Sequence, residues 1–174
     1  IQTSLVGSEM CIRDREYARP YLQNIWDQER RTCEPKDILP IAFGQIASEN
    51  KLAKRADKVL ICDTDLLETK VYSQEYYGGY VDPLLEKGAR ESKYDLHFLT
   101  YIDTPWEADD LRDRPNQREQ MFQAFKNALE DNNRPYILLK GDEKNRLNIA
   151  IEAIDKILFQ KGNLYSFSET LKNE

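Results

Sequence analysis

The chain has 174 residues and a net charge of −6 at pH 7, with 25 basic residues scattered among 31 acidic ones, a length that suits one domain and a charge pattern that leaves no basic face for nucleic acid. No apolar run nears the roughly 20 residues of a membrane span. Its three cysteines, Cys11, Cys33 and Cys62, are too few and too widely spaced for a zinc site or a disulfide framework, which fits a reducing cytoplasm.

The first stretch, Ile1–Arg15, has no clear period and lacks the charged start and long apolar centre of a secretory signal. It resembles a spurious leader seen on unrelated conceptual translations. The expectation is therefore a leader at 1–15, one domain at 16–162 and a tail at 163–174. From Glu16 the pattern changes: Tyr17, Tyr21, Leu22, Ile25 and Trp26 recur at helical intervals. Pro20 suits the first turn of that helix, which leaves Glu16 and Arg19 in or near the preceding loop, placed to meet a polar ligand. Asp37 is the expected N-cap of the next helix, through Ala56, with Pro40 tolerated in its first turn. Gly44 inside that helix costs about 1 kcal/mol against alanine, so it marks either close helix packing or the approach of a ligand. Gln45, beside it, is either a polar contact or a solvated side chain.

The stretch on which the reading centres is Lys58–Leu67, KVLICDTDLL. Val59–Cys62 is a short continuous apolar run, as in a strand buried on both faces of a parallel sheet, and Asp63 and Asp65 stand at its C-terminal end. Ligands of open α/β sheets bind at that edge, so these carboxylates are candidates for coordinating Mg²⁺ or taking a proton from an attacking hydroxyl. The alternative is that one of them caps the helix from Leu66 to Tyr76. The turn Tyr76–Tyr80, with Gly78 and Gly79 at its centre, offers aromatic faces either to a flat ring or to a neighbouring helix.

Tyr94–Asp103 is a second strand ending in an acid, and its His97 reads as a hydrogen-bonded core or edge histidine. The segment Glu107–Arg118 carries Arg112, Arg114 and Arg118 among acids. It is either a solvated loop or one that closes over a polyphosphate with planar guanidinium groups. Asn116–Asp131 has an apolar face and is scaffold. Tyr136–Leu139 is a third strand, followed by the turn Gly141-Asp142 and a helix over Asn145–Gln160. Strands alternating with helices define the fold class as α/β, with a parallel sheet flanked by helices. The three runs at 58–62, 96–102 and 136–139 are expected as neighbouring parallel strands of one sheet, with Asp63 and Arg112 opening on the same edge.

Taken together, E-Y-A-R at 16–19, I-A-x-G-Q at 41–45, C-D-T-D at 62–65, Y-D-L at 94–96 and the run Asp103, Pro105, Trp106, Asp109 to Asp113, Pro115 and Arg118 resemble the ribosylnicotinamide kinase domain of the NadR type, a P-loop ATPase of the nucleoside and nucleotide kinase group. The resemblance covers Glu16 to about Ile157. It implies transfer of the ATP γ-phosphoryl group to the 5′-hydroxyl of nicotinamide riboside, giving nicotinamide mononucleotide for NAD synthesis, with ATP and Mg²⁺ as cofactors. On it, Asp63 is the base or the Mg²⁺-side carboxylate and Asp65 its companion. Arg112, Arg114 and Arg118 form the lid. Glu16, Tyr17, Arg19 and Gln45 lie at the substrate pocket, Tyr77 or Trp106 stacks on the nicotinamide ring, and Gly141 and Asp142 lie near the adenine.

One departure stands against this pattern: no G-x-x-x-x-G-K-[ST] loop, whose N–H groups and lysine hold the phosphates, occurs in the 174 residues. The leader stands where the first strand, that loop and the first helix are expected, as in a truncated gene joined to foreign sequence. Two readings follow: a nucleoside kinase, for this or another nucleoside, that is inactive without the loop, and a non-catalytic nucleotide-sensing module. The strand-end acids and lid arginines favour the first.

Overall fold

The computed structural model describes residues 11–107, 111 and 115–162. Along these residues the chain forms β1 (Cys11–Arg13), α1 (Ala18–Glu29), α2 (Pro35–Ala53), β2 (Val59–Ile61), α3 (Leu66–Tyr76), α4 (Pro83–Glu91), β3 (His97–Thr100), α5 (Arg118–Asp131), β4 (Tyr136–Leu139) and α6 (Glu143–Gln160). Side chains alternate across a strand, and that alternation sorts the core into two layers. Val59, Ile61 and Phe98 pack against Ile154 and Leu158 of α6. Leu99 turns the other way, into a larger core built with Ile38 of α2, Leu67 of α3, Leu85 of α4 and Phe122 of α5. Helices thus cover both faces of parallel strands, which is the expected α/β class.

The pairing differs from the expectation of a single sheet. β2 pairs in parallel with β1, with Ile12 opposite Leu60, and β3 pairs in parallel with β4, with Phe98 opposite Ile137. Among the described residues no ladder joins β2 to β3. Side chains link the two pairs instead: the Tyr94 hydroxyl donates to Glu49 Oε2 at 2.7 Å, and His97 Nε2 lies 3.2 Å from Asp65 Oδ2. Polar contacts of this kind join the two pairs where backbone bonds would otherwise run.

Two boundaries also move. The ordered unit includes Cys11–Arg13, inside the stretch expected to stand apart as a leader, because this short run lies along β2 and its last bond, Asp14 N–H to the Ile61 carbonyl, is 2.8 Å long. Helix α2 begins at Pro35, not after Asp37. Glu34 is its N-cap, and Asp37, at the third helical position, accepts the Glu34 N–H at 2.8 Å, which is the reciprocal half of a capping box. Asp37 is buried, which by itself would push its carboxyl up, but Arg31 lies 2.6 Å away and its hydrogen bonds hold the group below the usual carboxylate range. The tail at 163–174 and the lid arginines Arg112 and Arg114 lie outside the described residues.

Gly44 has a packing reason. A β-carbon there would overlap the ring of Tyr17, so the missing side chain is what lets the segment entering α1 lie against α2. Gly44→Ala should therefore destabilise the chain by about 1–3 kcal/mol, the cost of overpacking, although alanine is the better helix former by about 1 kcal/mol. Urea unfolding checks this, and pairing the change with Tyr17→Ala should recover most of the loss.

Candidate functional site

The C-terminal ends of β1 and β2 lie side by side, so the residues that follow each strand meet. Asp14 follows β1 and is 1% exposed; Gln45, from the middle of α2, is also 1% exposed. The Gln45 amide donates to Asp14 Oδ2 at 2.8 Å and to Glu49 Oε1 at 3.0 Å, and it approaches the Asp63 carbonyl at 3.5 Å. Its own oxygen accepts the Tyr17 N–H at 3.0 Å. Ser48 Oγ and the Arg15 backbone N–H donate to the other oxygen of Asp14 at 2.7 and 2.8 Å. A buried carboxylate held by neutral donors is fixed in position, since moving it would leave several groups unsatisfied.

Asp63 is the open acid of the group. Its side chain is 43% exposed and its Oδ2 lies 3.0 Å from Arg13 Nη2. Asp65 is not open in this way. It is the N-cap of α3, accepting the Glu68 N–H on Oδ1 at 2.7 Å, and its other oxygen faces His97. The capping role, one of two roles the sequence leaves open for these acids, thus belongs to Asp65. Thr64 between them adopts a left-handed conformation, φ 74°, which lets the chain turn sharply enough to separate the two carboxylates.

A cleft of about 1540 Å³ runs from these acids between β2 and β3. Glu16, Asp63, Asp65, Glu68, Trp106 and Arg118 lie along it. Glu16 and Arg19 pair with each other at 3.7 Å. Arg118 donates to the Thr104 carbonyl at 2.7 Å, which ties the start of α5 to the loop after β3 and leaves this arginine at the cleft wall. Trp106 is 37% exposed there. Tyr77 packs with Cys33 against the larger core, so the tyrosine turn serves helix packing at this residue, and burial pushes its hydroxyl well above the usual range. Gly141 and Asp142 sit at the end of β4. The Gly141 N–H binds Asp103 Oδ2 at 2.6 Å, Arg146 also binds Asp103, and Asp142 caps α6 through the Asn145 N–H at 2.8 Å.

Sequence reasoning passes over Asp14, Ser48, Glu49, Glu68 and Tyr94. Gln45 and Glu49, four residues apart in a helix, share one face, and that spacing is a visible sign. Asp14 falls inside the stretch expected as a leader. Burial pushes Glu49 and Tyr94 upward. Burial, with Glu49, Asp14 and Asp65 nearby, raises the Cys62 thiol to about 12, so it is not a nucleophile near neutral pH.

Among the described residues no three His, Cys, Asp or Glu side chains are grouped to hold a metal ion. A single accessible carboxylate such as Asp63 still suits Mg²⁺, which keeps most of its waters and takes one or two carboxylates together with substrate phosphates. The phosphates of a nucleotide find a poorer fit. The N-terminus of α3, at the same rim, is closed by its own Asp65, and the sequence has no G-x-x-x-x-G-K-[ST] loop.

Burial and the neighbouring Asp65, Glu16 and Asp63 raise the Glu68 carboxyl to about 8. A carboxyl raised on folding binds its proton more tightly in the folded state than in the unfolded one. Its contribution to stability is therefore complete below about 4.5 and is lost as pH rises through about 8. Glu68→Gln should remove this loss, leaving the variant more stable than the parent by about 1 kcal/mol or more at pH 8.5 and nearly equal to it at pH 4.5. Thermal unfolding at the two pH values measures the difference.

This fold has known relatives. A family model described as an AAA domain matches residues 7–146. The trifunctional NAD biosynthesis/regulator protein NadR of Salmonella typhimurium is 27% identical over 152 residues, 84% of this chain and 36% of that protein. The Escherichia coli protein of the same name is 27% identical over 130 residues, 74% of this chain and 32% of its own length. This chain thus spans about a third of the curated relatives it matches. A crystal structure of NadR protein in complex with NAD and AMP-PNP superposes with a TM-score of 0.65 at 17% identity, over 84% of this chain and 42% of that one. Another, in complex with NR, gives 0.68 at 18% identity, over 84% and 44%. The fold is that of the NadR structures, and with the family model covering most of its length the chain belongs to the AAA-domain family.

Proposed function

We propose that this chain is the nucleoside-binding part of a nucleotide-binding P-loop module whose reaction is the ATP-dependent phosphorylation of the 5′-hydroxyl of nicotinamide riboside, in the cytoplasm. The observation that carries the proposal is a convergence. Tyr17, Gln45 and Asp63, far apart in the chain, belong to three separate pieces of the resemblance, and the Tyr17–Gln45–Asp63 contacts bring them to one rim. NadR relatives seen with NR, NAD and AMP-PNP support small nucleosides and nucleotides as the ligand class.

In this proposal Asp63, half-exposed and next to Arg13, accepts the hydroxyl proton or stands beside Mg²⁺. Asp65 acts at a distance, by fixing the start of α3. Trp106 supplies an aromatic face for the nicotinamide ring, and Glu16 and Arg19 hold the ribose. Arg118 stands where developing phosphoryl charge would be neutralised, with Arg112 and Arg114 as its proposed companions in the lid. Gly141 and Asp142 are proposed to border the base of the nucleotide. When bound, ATP supplies the phosphoryl group and Mg²⁺ neutralises its charge.

The 174-residue chain should bind the nucleoside and show no phosphoryl transfer. Titrating nicotinamide riboside while following tryptophan fluorescence should give a saturable change in roughly the 1 μM to 1 mM range usual for enzyme substrates. Trp106→Phe should remove most of the fluorescence change, and Asp63→Ala should weaken binding about tenfold, as for a lost hydrogen bond to a charged group. No saturation up to several millimolar would overturn the assignment of the nucleoside. Turnover of ATP by the unaltered chain would overturn its phosphate half.

A further inference from the structure

Helix α2 has two sides of opposite character. Its buried side carries Ile38, Ile41, Ala42, Gln45 and Glu49, and Asp37 is buried as well, so both acids of the helix point inward. Its outer side carries Lys36, Pro40, Phe43, Ala47, Lys51 and the C-cap Lys54, all exposed, at the three- and four-residue steps that keep side chains on one face. Phe43, near the middle, is 59% exposed. Lys36 pairs with the N-cap Glu34 at 2.7 Å, while Lys51 and Lys54 make no ion pair among the described residues. Arg55, one residue past the cap, is exposed beside them. Cations in a last turn complement the helix dipole, which accounts for Lys51 and Lys54. It does not account for an aromatic ring left in water between cations, or for a helix face about 27 Å long that holds no acid in a chain where acids outnumber bases 31 to 25.

We infer that the outer face of α2 is a docking surface for an anionic phospholipid bilayer, which the chain binds peripherally with this helix lying along the headgroup plane. The placement of the charges selects this partner. Lys36 and Lys51 stand about 10 and 12 Å from Phe43 along the axis, on opposite sides of it, and a lysine can lay its methylene stem on apolar surface while its ammonium reaches a lipid phosphate. The ring then enters the boundary between headgroups and acyl chains, where aromatic side chains are at home. A nucleic acid fits this face less well, because its affinity comes from cations set against a continuous row of phosphates, and between Lys36 and Lys51 the outer side of α2 is uncharged. A bilayer asks only that cations lie near its surface, where each strengthens binding by about fivefold. The net charge of −6 sets the orientation, since an anionic bilayer disfavours approach by the acidic remainder of the surface. Gln45 and Glu49 are on the opposite side of the helix, so a bilayer on the outer face leaves their contacts in place. The inference goes beyond the proposed function and does not rest on it.

The test floats the 174-residue chain on a density gradient with vesicles of phosphatidylglycerol and phosphatidylcholine in equal parts, or of phosphatidylcholine alone. The chain should rise with the first and stay behind with the second, and raising salt from about 0.05 to about 0.5 M should weaken binding at least tenfold. Reversing two cations, in the double variant Lys51→Glu, Lys54→Glu, should weaken binding by about 20-fold or more. Phe43→Ser should weaken it by about fivefold to tenfold, the loss of one partly buried ring. The double variant Lys87→Glu, Lys144→Glu alters the net charge by the same amount at exposed lysines of α4 and α6 and should leave binding within about twofold of the parent. All these side chains are exposed, and circular dichroism should show the same helix content in each variant. Equal flotation with both lipids, no flotation at low salt, or an equal loss in the control on α4 and α6 would overturn the inference. So would tighter binding of a DNA duplex of about 20 base pairs, abolished by the Lys51 and Lys54 reversals, which would assign the face to nucleic acid instead.

Discussion

Gln45 holds three distant parts of the chain at one point because a buried amide must place both its oxygen and its N–H groups on partners. Its oxygen is committed to the backbone entering α1, and its nitrogen to the carboxylates of Asp14 and Glu49 and, more weakly, to the backbone leaving β2. Each contact closes a loop of a different length. Together they fix the ends of β1 and β2 relative to α2, whereas apolar packing alone, being non-directional, would let the three slide. The site therefore depends on a residue that touches no open surface.

The same network links the two strand pairs. Glu49 is tied to Gln45 at one oxygen and receives the Tyr94 hydroxyl at the other. Asp65 likewise caps α3 with one oxygen and faces His97 with the other. Each of these acids belongs to the β2 side and reaches a residue at the start of β3. Both bridges draw on polar atoms that need partners when partly buried, and both keep the second pair in place without backbone bonds. Helix α6 adds an apolar brace, since Ile154 and Leu158 touch Val59 and Ile61 of one pair and Phe98 of the other.

Much of this was legible in the sequence, and the exceptions have specific causes. The apolar runs at Val59–Ile61, His97–Thr100 and Tyr136–Leu139 are strands as expected, because short continuous hydrophobic runs have few other uses in an α/β chain. The packing role of Gly44 was one of two readings, and the Tyr17 ring decides between them. What the sequence did not reveal was pairing. Periodicity reports which face of a strand is buried and carries no information about which edge has a neighbour. It also misplaced Asp14, whose importance comes from β1 lying along β2, a contact nearly fifty residues away in the chain. Asp65 was ambiguous for a different reason: an acid after a buried strand and before a helix satisfies the description of both a ligand and an N-cap.

The charge of the rim separates the two halves of phosphoryl-transfer chemistry. Polyphosphate binding rests on oriented N–H groups and cations, and around β2 the described residues present mainly carboxyl groups, with the free N–H groups of α3 closed by Asp65. An unaccompanied anion would be poorly received by a rim of carboxyl oxygens, even with Glu68 raised to about 8. A neutral hydroxyl would not, and neither would a cation; the nicotinamide ring of a nucleoside carries positive charge at its glycosidic nitrogen, which an acidic rim favours by ordinary Coulomb attraction. In the proposed function Asp63 is the acid that serves such a ligand, since its exposure keeps it in reach of what enters the cleft. In the proposed function the acids that receive phosphate poorly are thus the same ones that suit the nucleoside, and a phosphate donor needs cations such as Arg118 beside it.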